Sequence, residues 1–197
     1  MVDPATAAQR WYVMLFPAPE EGRALLAALQ PLAECSGGTL NTNLHVTVGY
    51  FRGASDPATV VERLRPLDGP IIAVHASGLF SFSEAPNPLF GWTLSVRVRR
   101  EGGVQGWQRL VRDALEPLPL ASVFSWEQQQ PHLNIVQQLP TPPREALARL
   151  ADRTDALTFT ATRMVVSERN GDSFVNLLEQ PLRGSSPAAQ QAEQHAR

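Results

Sequence analysis

Two short segments combine residue types that can move protons and hold an anion: His45-Val46-Thr47-Val48 and His132-Leu133-Asn134-Ile135. Each reads as a strand, in which residues two apart share a face. The imidazole and hydroxyl of the first segment then lie on one face and its valines on the other. The imidazole and amide of the second lie likewise opposite Leu133 and Ile135. Two imidazoles titrating near neutrality can hold one proton between them, one as acid and one as base. That pairing suits in-line displacement at phosphorus, where the attacking oxygen loses a proton and the leaving oxygen gains one. The Thr47 hydroxyl and the Asn134 amide can donate to the non-bridging oxygens, which carry charge in the transition state. No carboxylate or cysteine adjoins either histidine, so the usual donors of a metal site are missing there. A reaction without metal or cofactor is expected.

Composition narrows the chemistry further. All 17 basic residues are arginine. With no lysine there is no amine nucleophile, no P-loop lysine and no lysyl-AMP intermediate. The single cysteine, Cys35, excludes a disulfide framework and a thiolate zinc site, and fits a reducing compartment. Net charge is −2 and the isoelectric point about 6.1, so any nucleic-acid contact must come from a local site. Met1 to Gln9 lacks a basic segment followed by an apolar one, and the longest apolar runs fall short of a membrane span. A cytoplasmic monomer with no membrane partner is expected. A chain of 197 residues allows one domain, or two small lobes sharing one core.

The histidine segments need elements to position them. Strands are expected at Trp11–Phe16, Leu44–Tyr50, Ile71–Phe82, Leu89–Val98, Pro131–Val136, Leu157–Val166 and Phe174–Leu178. Helices are expected at Glu20–Gln30, stopped by Pro31, at Asp56–Leu64, with Asp56 as N-cap and Pro57 first in the helix, at Val104–Leu115, and at Thr141–Leu150. Asn170-Gly171 signals a hairpin between the last two strands. Residues 1–9 and 184–197 are too small and polar to offset their ordering entropy and are expected to be disordered, leaving 10–183 as a single domain.

One order of elements runs through the chain twice. A strand led by Trp11 or Trp92 is followed by a helix, a loop, a strand carrying His-x-Thr or His-x-Asn, a helix with proline near its start, and a long apolar strand. His45 and His132 stand 87 residues apart, and Ile71 and Leu157 stand 86 apart. This periodicity predicts an internal duplication: an α+β fold of two pseudo-symmetric lobes with mainly antiparallel sheets and flanking helices. A two-fold axis would bring both polar displays together across a cleft.

Paired H-x-[ST]-x motifs in two pseudo-symmetric halves resemble the signature of the 2H phosphoesterase superfamily, and within it the RNA 2′,3′-cyclic phosphodiesterases, also named 2′-5′ RNA ligases. The resemblance covers roughly Trp11 to Leu182 and rests on HVTVGYF (45–51) and PHLNIVQQL (131–139). It implies metal-independent opening of a 2′,3′-cyclic phosphate end to a 2′-phosphate, and reversible 2′-5′ joining of RNA ends without ATP. It implies His45 and His132 as the acid and base, and Thr47 and Asn134 as phosphate ligands. Two positions depart from the pattern. Asn134 stands where the family has Thr or Ser, and keeps a donor. Gln137 stands where close relatives carry arginine, as in H-x-T-L-A-R, and its grip on phosphate is weaker. The alternatives are a phosphodiesterase for a small nucleotide, such as ADP-ribose cyclic phosphate or 2′,5′-oligoadenylate, and a non-catalytic nucleotide- or RNA-end-binding module.

Aromatic residues add candidate base contacts. Tyr50, closing the first motif, and Trp126, before the second, can stack on a base. Phe51, Trp92 and Trp107 lie on apolar faces and read as core. His75 lacks a partner hydroxyl or amide two residues on and reads as structural. Arg52, Arg97, Arg99, Arg100 and Arg169 are candidates for phosphate contact, although Arg97 and Arg99 on one strand face fit a solvated surface as well.

Overall fold

Period-two alternation decides which way the first strand faces. In β1 (Arg10–Pro17), Trp11, Val13 and Leu15 are fully buried, while Tyr12, Met14 and Phe16 turn to the opposite side. The computed structural model describes residues 9–82, 90–99, 103–123, 130–141, 157–170 and 173–183. The expected helix after Thr141, Trp126, Arg100, Gly171 and nearly all of both tails lie outside them.

The remaining elements follow in chain order: α1 (Pro19–Ser36), β2 (Thr39–Leu40), β3 (Val46–Arg52), α2 (Pro57–Leu64), β4 (Ile72–Phe82), β5 (Trp92–Val98), α3 (Gly103–Leu115), β6 (Ala121–Ser122), β7 (His132–Leu139), β8 (Thr158–Asn170) and β9 (Ser173–Pro181). The class is α+β, with every strand pairing antiparallel in one nine-stranded sheet.

The pairings are reciprocal between the two halves of the chain. Each histidine-bearing strand pairs with the Trp-led strand of its own half, β3 with β1 and β7 with β5. The long apolar strand of each half then crosses over: β4 pairs with β5 and β8 with β1. Two junctions close these strands into a ring, β4 with β8 over Ile72 to His75, and β3 with β7 through Val46 and Leu133. One face of the sheet carries the main core, where Leu25 and Leu29 of α1, Val60 and Leu64 of α2, and Trp107 and Val111 of α3 pack on the strands. Its other face carries Met14, Phe16 and Val165 as a small separate cluster with Tyr12 packed against it.

Several element boundaries differ from the sequence expectation: β7 runs to Leu139 rather than Val136, β8 to Asn170 rather than Val166, and β9 to Pro181 rather than Leu178. Helix α1 does not stop at Pro31 but continues to Ser36. Pro31 is exposed, and Leu32 and Ala33 beyond it are buried, so the apolar stripe begun by Leu25 and Leu29 carries the helix past the lost backbone donor. The helix ends at Gly37, whose φ of 69° is left-handed. Strand β3 begins at Val46 rather than Leu44, because the chain enters it from a turn over Asn41 to Asn43. The two-residue strands β2 and β6 lie in stretches read as loops.

Asp56 caps α2 as expected, accepting from the Thr59 backbone N–H at 3.0 Å. Trp107 and Phe51 are core residues, and Trp92 is half-buried against the core. His75 is exposed on β4, its Nδ1 3.3 Å from Thr158 Oγ1 across the junction with β8.

Candidate active site

The single bridge between Val46 and Leu133 fixes the relation of the two motifs. Both residues are buried in the core, so their neighbours along each strand turn to the opposite face. Carrying the register one residue either way sets Thr47 opposite His132 and His45 opposite Asn134. All four polar side chains therefore share one patch of one face. Directly opposed Cβ atoms stand about 5 Å apart and diagonal ones about 7 Å, which places the two imidazoles within reach of one phosphoryl group.

The two histidines are held by the same local device. His45 Nδ1 lies 2.7 Å from the Asn43 carbonyl, and His132 Nδ1 lies 3.2 Å from the Gln130 carbonyl. In both cases the acceptor is the backbone two residues earlier. Nδ1 therefore carries the proton and donates it to the carbonyl, which leaves Nε2 as the ring nitrogen available to a ligand. The Phe16 ring packs against His45 with centroids 5.2 Å apart. Burial lowers the His45 pKa from 6.5 to about 4, partly opposed by the bond to Asn43, with His132 nearby lowering it further. His45 is thus neutral at pH 7, with a proton-accepting Nε2. His132 is exposed.

Asn134 has a partner that orients its amide. Ser95, 4% exposed, sits opposite it in the β5–β7 ladder and donates its hydroxyl proton to Asn134 Oδ1 at 2.5 Å. With the oxygen engaged, the amide N–H groups are the end left to face a ligand. Thr47 is half-buried and paired in register with Met14 on β1. Gln137 pairs in register with Thr39, at the β2 end of β7.

Asn41 is a residue the sequence reading did not single out. It is buried, donates Nδ2–H to the Asn134 carbonyl at 2.9 Å, and accepts from the Asn43 backbone N–H at 3.1 Å through Oδ1. One amide thus joins the strand of His132 to the turn whose Asn43 carbonyl orients His45. Asn41→Ala leaves the Asn134 carbonyl and the Asn43 N–H without this partner. It is expected to lower stability by about 1–3 kcal/mol, read as a shifted urea midpoint with unchanged slope.

Arg97 stands opposite His132 in the β5–β7 ladder, so a residue that also fitted a solvated surface borders the patch. Tyr50 stacks on Tyr12 rather than standing alone, with centroids 4.7 Å apart and planes at 14°. Phe16 and Ser95 gave no separate signal because their place beside the histidines depends on register between distant strands. Among the described residues, no group of three or more His, Cys, Asp or Glu side chains could hold a metal ion. No helix among them is long and apolar enough to cross a membrane.

The antiparallel strands in this order, with both histidine motifs on one face, have the fold of phosphoesterases of known structure, LigT among them. A crystal structure of a phosphoesterase matches it with a TM-score of 0.54 at 10% identity, over 90% of this chain and 99% of that one. E. coli LigT in its apo form matches with a TM-score of 0.54 at 12% identity, over 89% and 98% of the two chains. LigT complexed with 3′-AMP matches with a TM-score of 0.51 at 11% identity, over 90% and 99%. No family model matches the sequence, and no curated protein does.

Proposed function

We propose that the protein is a metal-independent 2′,3′-cyclic phosphodiesterase acting on RNA ends, with a single domain over 10–183 whose two lobes arose by duplication. The observation that carries this reading is the pair of imidazoles on adjoining strands, each held at Nδ1 by the carbonyl two residues earlier. His45, neutral at pH 7, is the base: its Nε2 takes a proton from water as the water oxygen bonds to phosphorus. His132 is the acid: its Nε2–H passes to O3′ as the P–O3′ bond breaks, leaving a 2′-phosphate. Thr47 and Asn134 donate to the non-bridging oxygens. With an RNA 5′-hydroxyl in place of water, the same transfers join ends 2′-5′ without ATP, and their reverse reopens the joint to the cyclic phosphate and a 5′-hydroxyl.

A phosphodiesterase for a small nucleotide is the second reading. It is supported by LigT having been crystallised with 3′-AMP, with ATP and with NADP+.

The test is an RNA oligonucleotide ending in 2′,3′-cyclic phosphate, incubated with the protein in EDTA beside the small cyclic nucleotides. Conversion to a 2′-phosphate end is expected with EDTA present. Affinity for 2′-AMP with no turnover of any cyclic phosphate would instead identify a binding module.

The pH profile has a definite sign. A base must be neutral, and His45 gains its proton only near pH 4. The acid limb of kcat/KM, which reports the free protein, is expected to fall near pH 4 rather than 6.5. A limb at 6.5 would remove His45 from the role of base.

A further inference from the structure

The face that carries the histidines continues along β1 into a second, differently built patch. Tyr12 packs on the buried Met14, Phe16 and Val165 cluster, and Phe16 in turn packs on His45, so one packed row joins the two patches. Tyr12 stacks on Tyr50, and its other neighbour is Phe174 of β9, 5.6 Å away with planes at 47°. Phe174 is 45% exposed, so its ring is open to a ligand. The next cross-strand row holds three cations: Arg52 pairs in register with Arg10, Arg10 with Arg169, and Arg169 with Phe174. The Arg169 guanidinium lies 5.3 Å from the Phe174 centroid. The guanidinium groups of Arg169 and Arg10 both reach the Tyr12 hydroxyl.

Like charges directly opposed on neighbouring strands are destabilising, and here three stand in line within a chain whose net charge is −2. An anionic ligand over the row offsets that repulsion. At about 3.3 Å per residue, the arginine row lies about 13 Å along β1 from Met14, which is in register with Thr47. A cyclic mononucleotide held at His45 and His132 is too short to use both patches. A single strand is long enough, and an exposed aromatic ring beside a cationic row matches its alternation of base and phosphate.

We propose that Tyr12, Phe174, Arg10, Arg52 and Arg169 form a platform for the nucleotides preceding the cyclic phosphate, so that the substrate class is single-stranded RNA and not a mononucleotide. Phe174 stacks a base, and the three arginines hold backbone phosphates. The platform rests on the cyclic-phosphodiesterase reading for its purpose, but its binding is measurable without turnover.

The experiment compares kcat/KM for 2′,3′-cyclic AMP with that for an RNA hexamer ending in 2′,3′-cyclic phosphate. It also measures binding of a fluorescent hexamer with a 3′-phosphate. Phe174→Ala is expected to weaken hexamer binding and its kcat/KM roughly 5- to 100-fold and to leave the mononucleotide within two-fold; Phe174→Trp restores the hexamer. Arg52→Ala is expected to reduce the slope of log affinity against log salt by about 0.7. Equal loss on both substrates, or a hexamer indifferent to Phe174 and Arg52, overturns the platform. If no cyclic phosphate is opened while hexamer binding still depends on both residues, the platform stands and the catalytic reading fails.

Discussion

Replacing either His45 or His132 by alanine is expected to lower kcat on a cyclic phosphate by roughly 10²–10⁴, the scale of a lost general acid or base. The two losses come from one cycle, in which a proton taken at one ring is matched by a proton given at the other. The double variant is therefore expected to lose little more than either single one. KM is expected to change less than kcat, since in the proposed mechanism Thr47 and Asn134 still hold the phosphate. The variants should also differ in stability. The neutral, enclosed His45 ring binds its proton near pH 4 when folded and near 6.5 when unfolded. Stability therefore falls as pH drops from 6.5 to 4, by up to about 3 kcal/mol, and His45→Ala removes that slope. Near-wild-type turnover in both single variants would sink the mechanism.

Trp107→Ala is expected to cost about 3–5 kcal/mol, read as a fall in Tm of about 6–20 °C. Trp107 is fully buried on α3, in contact with the core beneath the sheet. Its Nε1–H donates to the Pro70 carbonyl at 3.0 Å, so alanine leaves both a cavity and a carbonyl without its donor. The fit is close on that side: a Cβ added at Gly69 would lie 2.1 Å from Trp107 Cζ2, so only glycine lets the chain before β4 pass over the ring. Trp107→Phe is expected to recover most of the loss. A change below 1 kcal/mol in the alanine variant would show that the helix face is not anchored by this ring.

Much of this arrangement was readable before any coordinates. Alternation in LHVTVGY and PHLNIV put the imidazoles on the face away from Val46, Val48, Leu133 and Ile135, and those four residues are buried. The repeat placed equivalent strands in both halves, and the pairing of β1 with β3 and β5 with β7 follows it. The exchange of β4 and β8 between halves was not readable, because a strand's sequence marks its faces but not its partner. The Nδ1 acceptors at Asn43 and Gln130 are backbone carbonyls, which any residue supplies. Ser95 looked like one more polar position in an alternating strand until register set it against Asn134. Pro31 misled because the penalty for proline in a helix was outweighed by the continuing buried stripe. Trp126 lies outside the described residues, and Phe174, read only as the start of a strand, holds the exposed position beside the tyrosines.

Because β3 meets β7 and β4 meets β8, the β1, β3, β4, β5, β7 and β8 strands each have a neighbour on both sides over part of their length. Among the described residues, outer strands are left to two residues of β2, two of β6, and β9. Unsatisfied strand borders are where chains recruit one another into fibrils, and β9 ends its own border with Pro181, which has no N–H to offer. Even its neighbour Gln180 turns inward, donating to the Leu67 carbonyl. Among the described residues, the border most open to a second chain is therefore that of β9, which carries the exposed Phe174 and Val175 near its start and closes at a residue without a donor.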